Sequence, residues 1–308
     1  MKKISVLKTS YAESVTLSSD GTKAYIPDGF NGLVVVYKSD KVKPTRIGSF
    51  HTGGYVLDVT LSKDETKAYL ADVDKGLVIV DISNPYHPTK IGSFHTGGYT
   101  RHITLSSDGT KAYLAEGKKG LGILNISDPA NPTRIGSFNT KGYTRHIALS
   151  KDETKAYIAD STNGLFIIDI SDPTNLTKFG LFHTEGYTDS ITLSKDETKA
   201  YLADGDKGLV IVDISNPSHP TKLGTYDTEG YTDSITLSKD ETKAYIADGD
   251  KGLVIVDISN PYHPTKLGTY ATEGYAKSIT LSKDETKAYV VNENGLIIVD
   301  IKKNKWKR

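Results

Sequence analysis

The sequence predicts an all-β fold, a closed seven-bladed β-propeller of four-stranded antiparallel blades, and three observations carry that reading. The triplet Lys-Ala-Tyr recurs with its tyrosine at Tyr25, Tyr69, Tyr113, Tyr157, Tyr201, Tyr245 and Tyr289, each 44 residues after the last, so seven such units make up the 308 residues. Each unit contains four strand-like segments divided by turn residues. The N-terminal segment has the pattern of the one strand that the last unit lacks. A fixed period of this length marks an array in which each unit buries its apolar face on the next. One domain spanning residues 1–308 is therefore expected.

The unit Tyr187 to Gly230 shows the elements in order. Tyr187-Thr188-Asp189-Ser190-Ile191-Thr192-Leu193-Ser194 alternates and is β-branched, which predicts a strand. Lys195-Asp196-Glu197-Thr198 is a polar turn, and it becomes Ser-Asp-Gly-Thr at Ser19 to Thr22 and Ser107 to Thr110. Lys199 to Ala203 is a second strand, and Asp204-Gly205-Asp206-Lys207-Gly208 is a hairpin loop. Leu209-Val210-Ile211-Val212-Asp213-Ile214 is a third strand, apolar on both faces as a sheet packed between two others requires. Ser215-Asn216-Pro217-Ser218-His219-Pro220 breaks the chain, because proline has no amide donor for a central ladder. Thr221 to Tyr226 is a fourth, more polar and outer strand. Gly and Pro recur too often for a helical array, and no 3.6-residue period appears.

A β-solenoid would also stack repeats, and the ends of the chain decide against it. The last unit stops at Arg308, before its fourth strand. Lys3-Ile4-Ser5-Val6-Leu7-Lys8-Thr9 aligns, with one deletion, to the fourth strand Arg46-Ile47-Gly48-Ser49-Phe50-His51-Thr52. The N-terminal strand is thus expected to complete the last blade and remove the exposed sheet edges.

Composition excludes some classes. There are 38 basic and 38 acidic residues, without the basic excess of a nucleic-acid binder. Cysteine is absent, which removes disulfides, thiolate metal sites and cysteine nucleophiles. No apolar run reaches the ~18 residues of a membrane helix. Met1 to Lys8 begins like a signal n-region, but Lys8 interrupts it and no apolar h-region follows, so no signal peptide is expected in this chain.

Gly76-Leu77-Val78-Ile79-Val80-Asp81-Ile82-Ser83-Asn84-Pro85 and Gly252 through Pro261, followed by a Pro-x-x-x-Gly-x-x-x-Thr pattern such as Pro88 through Gly92 to Thr96, resemble the LVIVD repeat. More distantly they are similar to YVTN propeller repeats. The resemblance runs the whole chain. It implies a propeller fold, a cell-surface or exported setting, and a family of largely unassigned activity. It provides no catalytic residues.

Among near-identical copies, the positions that differ point to local specialisation. Alternation along the innermost strand predicts that Tyr187, Ile191 and Leu193 wedge between blades, while Thr188, Ser190 and Thr192 line the central channel. Around the ring the Ser190 position reads Ser14, Asp58, His102, His146, Ser190, Ser234 and Ser278. Asp58, His102 and His146 thus form one layer on consecutive blades, with the composition of a divalent-metal site or proton relay; hydrated channel lining is the plainer reading. The preceding position reads Glu13, Leu57, Arg101, Arg145, Asp189, Asp233 and Lys277. Adjacent blades then pair Arg145–Asp189, Asp233–Lys277 and Lys277–Glu13, either as ion pairs that fix neighbours or as a funnel, basic over blades three and four and acidic over five and six, that orients a zwitterionic or sugar-like ligand.

The loop before the innermost strand varies as His51, His95, Asn139, His183, Asp227 and Ala271, and shares a rim with the loops between the second and third strands. Phe30 is an unusual apolar residue in that rim and a candidate contact. Asp204 to Gly208 lacks the further carboxylates of a calcium loop and reads as a hairpin turn. Tyr55, Tyr99, Tyr143, Tyr187, Tyr231 and Tyr275 are read as core packing, with sugar stacking as the alternative. The tail with Lys302, Lys303, Lys305, Trp306, Lys307 and Arg308 is read as a solvated terminus. No nucleophile elbow, phosphate loop or zinc-protease motif appears.

The leading expectation is a monomeric, non-enzymatic binding or scaffold propeller that takes a protein or carbohydrate near the channel mouth, through Asp58, His102, His146, Arg101, Arg145, Asp189, Asp233 and Phe30, without a cofactor. A propeller enzyme of lactonase or metal-hydrolase type, with a metal at Asp58, His102 and His146, is the alternative. A multivalent lectin is the third.

Overall fold

A computed structural model describes residues 1–39 and 42–302. Lys303 and the tail after it therefore lie outside the described residues. The chain forms seven four-stranded antiparallel sheets, six of them running in chain order from the innermost to the outermost strand. Blade five shows the pattern, with strands Ser190–Leu193, Lys199–Ala203, Leu209–Asp213 and Thr221–Tyr226.

The seventh sheet breaks chain order in the expected way. Ala276–Leu281, Lys287–Asn292 and Gly295–Asp300 are joined by Lys2–Lys8 as the outermost strand. Leu7 lies opposite Leu296 and Lys8 opposite Gly295, with a register shift between Lys3 and Ser5. Blade five has the same irregularity opposite Ile211 and Val212, so the N-terminal strand copies even the bulge of an ordinary outer strand.

The core lies between blades rather than within them. Leu209 and Ile211 pack with Ile235, Ala244, Ile246 and Val254 of blade six. Val210 and Val212 point the other way, to Tyr157, Ala159, Leu165 and Ile167 of blade four. This is why the third strand is apolar from Leu209 through Val212. Each such side chain contributes about 1.5–3 kcal/mol on burial, and a blade without neighbours leaves both sets bare. Tyr289, Val291, Leu296 and Ile298 of blade seven join Ala12, Val15, Ile26 and Val34 of blade one in one cluster, which closes the ring. The repeated outer-strand glycine has a steric cause: a Cβ on Gly180 would stand 2.1 Å from the Pro217 carbonyl oxygen of the next blade.

The face opposite the channel mouth carries a second link between blades. Glu65 and Glu241 accept 2.5 Å hydrogen bonds from the backbone amides of Ser19 and Lys195, each one blade back. Glu153, Glu197 and Glu285 do the same for Ser107, Lys151 and Lys239. All five glutamates sit in the left-handed region, with φ between 53° and 56°. That conformation costs a non-glycine residue of the order of 1 kcal/mol, and here it aims the carboxylate at the neighbour. Gly21 and Gly109 occupy the same turn position in the other two repeats, so the seams between blades seven and one and between blades two and three lack this clasp.

Blade one departs further at its seam with blade seven. Lys38 stands where the other repeats carry Ile82, Ile126, Ile170, Ile214, Ile258 and Ile301, and it is buried. Its ammonium donates to the Gly21 carbonyl and to the Tyr289 hydroxyl, the latter at 2.8 Å, and lies 4.2 Å from the centre of the Tyr289 ring. A cavity of about 770 Å³ opens there, lined in part by Gly21, Lys38, Lys283 and Tyr289.

Candidate functional site at the channel mouth

The mouth is built where each innermost strand begins. In blades two, six and seven the strand slips by one residue, between Val56 and Asp58, Thr232 and Ser234, and Ala276 and Ser278. The extra residues are Leu57, Asp233 and Lys277. A bulge re-aims its extra side chain, and these three turn toward the shaft. Together with Glu13, Arg101, Arg145 and Asp189 they line a cavity of about 290 Å³. The predicted funnel positions are therefore brought together, one from each blade.

In blade five the ladder begins only at Ser190, and Thr188 before it departs from the strict alternation expected upstream. Thr188 is fully buried and does not line the channel. Its hydroxyl donates to Asp204 Oδ1 at 2.7 Å, and its backbone bridges to Ser161 of the preceding blade. Tyr187 does not wedge between blades, being 47% exposed. Ile191 is buried between blades as expected. The loop carboxylates Asp160, Asp204 and Asp248 are fully buried acceptors. Burial pushes all three above the usual carboxylate range against the pull of their hydrogen bonds. Asp204-Gly205-Asp206-Lys207-Gly208 is a turn closed by Lys207 N–H donating to the Asp204 carbonyl at 2.9 Å.

Two of the three expected ion pairs form. Arg145 pairs with Asp189. Lys277 donates to Glu13 at 2.7 Å, which joins blades seven and one. Asp233 and Lys277 form no ion pair, because the Lys277 ammonium is taken by Glu13. Among the described residues Arg101 has no ion-pair or hydrogen-bond partner, and its guanidinium lies 5.6 Å from the centre of the Tyr143 ring. Burial, and then the Asp189 carboxylate beside it, push Asp233 up to about 8. Burial raises Asp189 too, against the pull of Arg145.

The repeated tyrosines serve this ring and are not core packing. Tyr55 donates to Glu13, one blade back. Tyr231 and Tyr275 hold the same place beside Asp189 and Asp233, and burial together with those carboxylates raises both phenols. Where the ring residue is Arg101 or Arg145, the Tyr143 ring face meets the cation instead, the latter at 5.8 Å. Tyr99, at 54% exposed, has no such acid to bind, since its partner position holds Leu57.

Asp58, His102 and His146 are also brought together, outside the mouth cavity. The His102 and His146 rings stack with centroids 3.7 Å apart. His102 Nε2 is 3.7 Å from Asp58 Oδ2. Their lone pairs are largely committed to the fold: Asp58 accepts from the Ile103 amide at 3.2 Å and the Ser14 hydroxyl at 3.0 Å, and His102 Nδ1 accepts from the Ile147 amide at 3.3 Å. Burial lowers His102 to about 3 and His146 well below the usual imidazole value, and it raises Asp58. Among the described residues no group of three His, Asp or Glu side chains is placed to hold a metal ion. The layer reads as two neutral imidazoles that link blades two to four.

Phe30 lies on the same rim, 59% exposed. Its ring meets Tyr55 edge-on at 4.7 Å and Tyr11 at 6.1 Å. Sequence reasoning found Phe30 but missed Tyr11 and Tyr55 as its partners; the signal was the coincidence of an apolar loop residue with the tyrosines of its own and the next repeat.

The fold defines a seven-bladed β-propeller with LVIVD repeats throughout. The LVIVD repeat model matches residues 10–52, 53–96, 97–140, 141–184, 185–228, 229–272 and 273–304, and the chain belongs to that family. No curated protein matches it. Among solved structures it is similar to the β-propeller domain of Myceliophteria thermophila Cps50 (Swd1), with a TM-score of 0.80 at 9% identity, covering 97% of this chain and 99% of that one. It is also similar to a chain of a mitotic checkpoint complex, with a TM-score of 0.76 at 13% identity, covering 98% and 94%. At such identities the likeness concerns the fold. Among the described residues no helix is long and apolar enough to cross a membrane.

Proposed function

We propose that the chain is a non-enzymatic binding propeller whose partner is a protein docked on the face that carries the channel mouth. The observation that carries this reading is the concentration there of exposed aromatics around a ring of charges that no two neighbouring blades share in the same pairing. Tyr11, Phe30, Tyr99 and Tyr187 are 47%, 59%, 54% and 47% exposed. Protein interfaces draw on such aromatics, with Arg, as anchors, and Arg101 and Arg145 stand within the ring they surround. An exported or cell-surface setting fits this role and comes from the family resemblance.

The other readings draw less support. A lectin with one site per blade needs equivalent sites, yet the tyrosines differ: Tyr55 bonds an acid, Tyr143 faces two cations and Tyr99 is exposed. A hydrolase centred on Asp58, His102 and His146 needs the lone pairs of Asp58 and His102, which here accept backbone amides.

Affinity capture from the native host tests the reading, with wild type compared with Phe30→Ser and Arg101→Ala on the mouth face and Tyr262→Ser on the opposite face. The expected result is one protein captured by wild type and Tyr262→Ser and lost from both mouth variants. Equal capture by all four, or loss only with Tyr262→Ser, overturns it.

A further inference from the structure

We infer that the mouth cavity is itself a site for a small zwitterion of the α-amino-acid class, bound by its carboxylate at Arg101 and Arg145 and by its ammonium at Asp189 and Asp233. This inference stands apart from partner docking on the surrounding rim. It rests on side chains of both signs around one cavity, some with buried atoms left open. Arg145 and Asp189 pair with each other, and the Tyr231 and Tyr275 hydroxyls stand beside Asp189 and Asp233, yet Arg145 Nε, Asp189 Oδ2 and Asp233 Oδ2 are buried without a partner at hydrogen-bond geometry. Asp189 is nine-tenths buried and lines the cavity. The Arg101 guanidinium makes no hydrogen bond or ion pair among the described residues; only the Tyr143 ring lies against it. A buried polar group left unmet costs about 1–3 kcal/mol, so Arg145 Nε, Asp189 Oδ2 and Asp233 Oδ2 favour an occupant toward which their side chains can turn.

The arrangement selects the occupant's chemistry. The arginines of the lining are on blades three and four and the aspartates on blades five and six. An anion alone would meet the arginines but face two carboxyls. A cation alone would meet the carboxyls but face two guanidinium groups. A ligand with both charges, one at each end, matches the polarity across the shaft. The size agrees: about 290 Å³ is at the lower edge of the ~300–1,000 Å³ of small-molecule pockets.

Asp233 adds a signature. It is faced by Asp189, Tyr231, Tyr275, Arg145 and Lys277, and with its carboxyl raised to about 8 it is mostly protonated near neutral pH. An arriving ammonium favours the carboxylate form, so the Asp233 proton leaves to solvent as the ligand binds. Affinity should then rise from pH 6 to pH 8.

Titration calorimetry with the full chain, in two neutral buffers of different ionisation enthalpy, tests this. The probes are the common α-amino acids, with acetate and methylamine as half-ligands. The expected result is a single site for at least one amino acid, at least tenfold stronger than for either half-ligand, with a buffer-dependent heat that reports proton release. Arg101→Ala and Asp233→Asn should each weaken it at least tenfold, and Asp233→Asn should also remove the proton release. Arg101→Lys substitutes if Arg101→Ala does not fold. Phe30→Ser should keep the amino acid while losing the protein partner, which separates failure of one reading from failure of the other. No heat with any amino acid at millimolar concentration, acetate binding as well as the amino acids, or affinity unchanged by Asp233→Asn overturns the inference, leaving a cavity filled by water or an adventitious ion only.

Discussion

Glu241 accepts a 2.5 Å hydrogen bond from the backbone amide of Lys195 in the blade before it, and holds a left-handed φ of 53° to do so. The bond and the strain oppose each other, so two substitutions separate them. Glu241→Ala keeps the strain and loses the bond, and should destabilise by about 1–2 kcal/mol in urea unfolding. Glu241→Gly loses both and should destabilise by less. Gly21→Glu is the converse: nothing lies within 4 Å of a Cβ built there, and the new carboxylate would face the Lys283 amide. A melting temperature equal to or above that of wild type is expected, and a clear loss would speak against the clasp.

Removing residues 1–9 takes away the strand that pairs with Gly295–Asp300 and uncovers an apolar third strand. A drop in melting temperature well beyond that of any single surface substitution is expected by calorimetry. An unchanged value would argue against closure by this strand.

Asp233 should make stability fall as pH rises. Its folded value of about 8 lies above the ordinary 3.8, so the folded state holds a proton the unfolded state has lost. The resulting cost grows from pH 3.8 up to pH 8, by at most about 1.4 kcal/mol per pH unit. Asp233→Asn removes it. The variant should gain more over wild type at pH 9 than at pH 6, and an equal gain at both would count against the raised carboxyl.

The buried imidazoles act on the acid side. His146 is held well below 6.5, so the unfolded chain takes up its proton first, and the stability present above pH 6.5 is lost as pH falls. His146→Ser, the residue that blades five to seven carry, should narrow the stability gap between pH 7 and pH 5 by up to about 2 kcal/mol. Asp58, raised by burial, has the opposite sign and will blunt but not reverse the effect. A gap as wide as that of wild type would show that His146 titrates normally.

Blade three carries a linked trio. Glu116 bonds Arg134 at 2.5 Å through the space left by Gly122, where a Cβ would come 2.3 Å from Glu116 Oε1 and 2.6 Å from Arg134 Nη1. The other repeats have a larger apolar residue at the Gly122 position, as at Val78 and Val210, and a shorter side chain at the Glu116 position, as at Asp72 and Asp204. Gly122→Val alone should destabilise by a few kcal/mol, in the range for overpacking. Adding Glu116→Asp and Arg134→Lys should recover most of it. Additive losses across the three would refute the coupling.

The period, the four strands and the closing strand were legible because they rest on alternation, turn chemistry and pairing, which are local. The apolar run from Leu209 to Val212 could be read as doubly buried without knowing what covers it. The mouth was partly legible. Comparing copies found Arg101, Arg145, Asp189 and Asp233 as neighbours on adjacent blades. It did not find that Lys277 forms its ion pair with Glu13 and not with Asp233, or that Thr188 turns inward to Asp204, because the bridges between blades and the one-residue slips of the innermost strands leave no composition signal. The glutamate links were hidden for a similar reason: Glu and Gly exchange at one turn position, and only the left-handed backbone shows what they share.

Five of the seven joints around the ring carry a glutamate link, and two do not, at Gly21 and at Gly109. The hoop is therefore divided into a long arc and a short one, blades three to seven and blades one and two. One of the two softer joints is also where the first and last blades meet. Strain applied anywhere on the circumference should be released at these places first, so that the circle parts into two pieces rather than unravelling blade by blade.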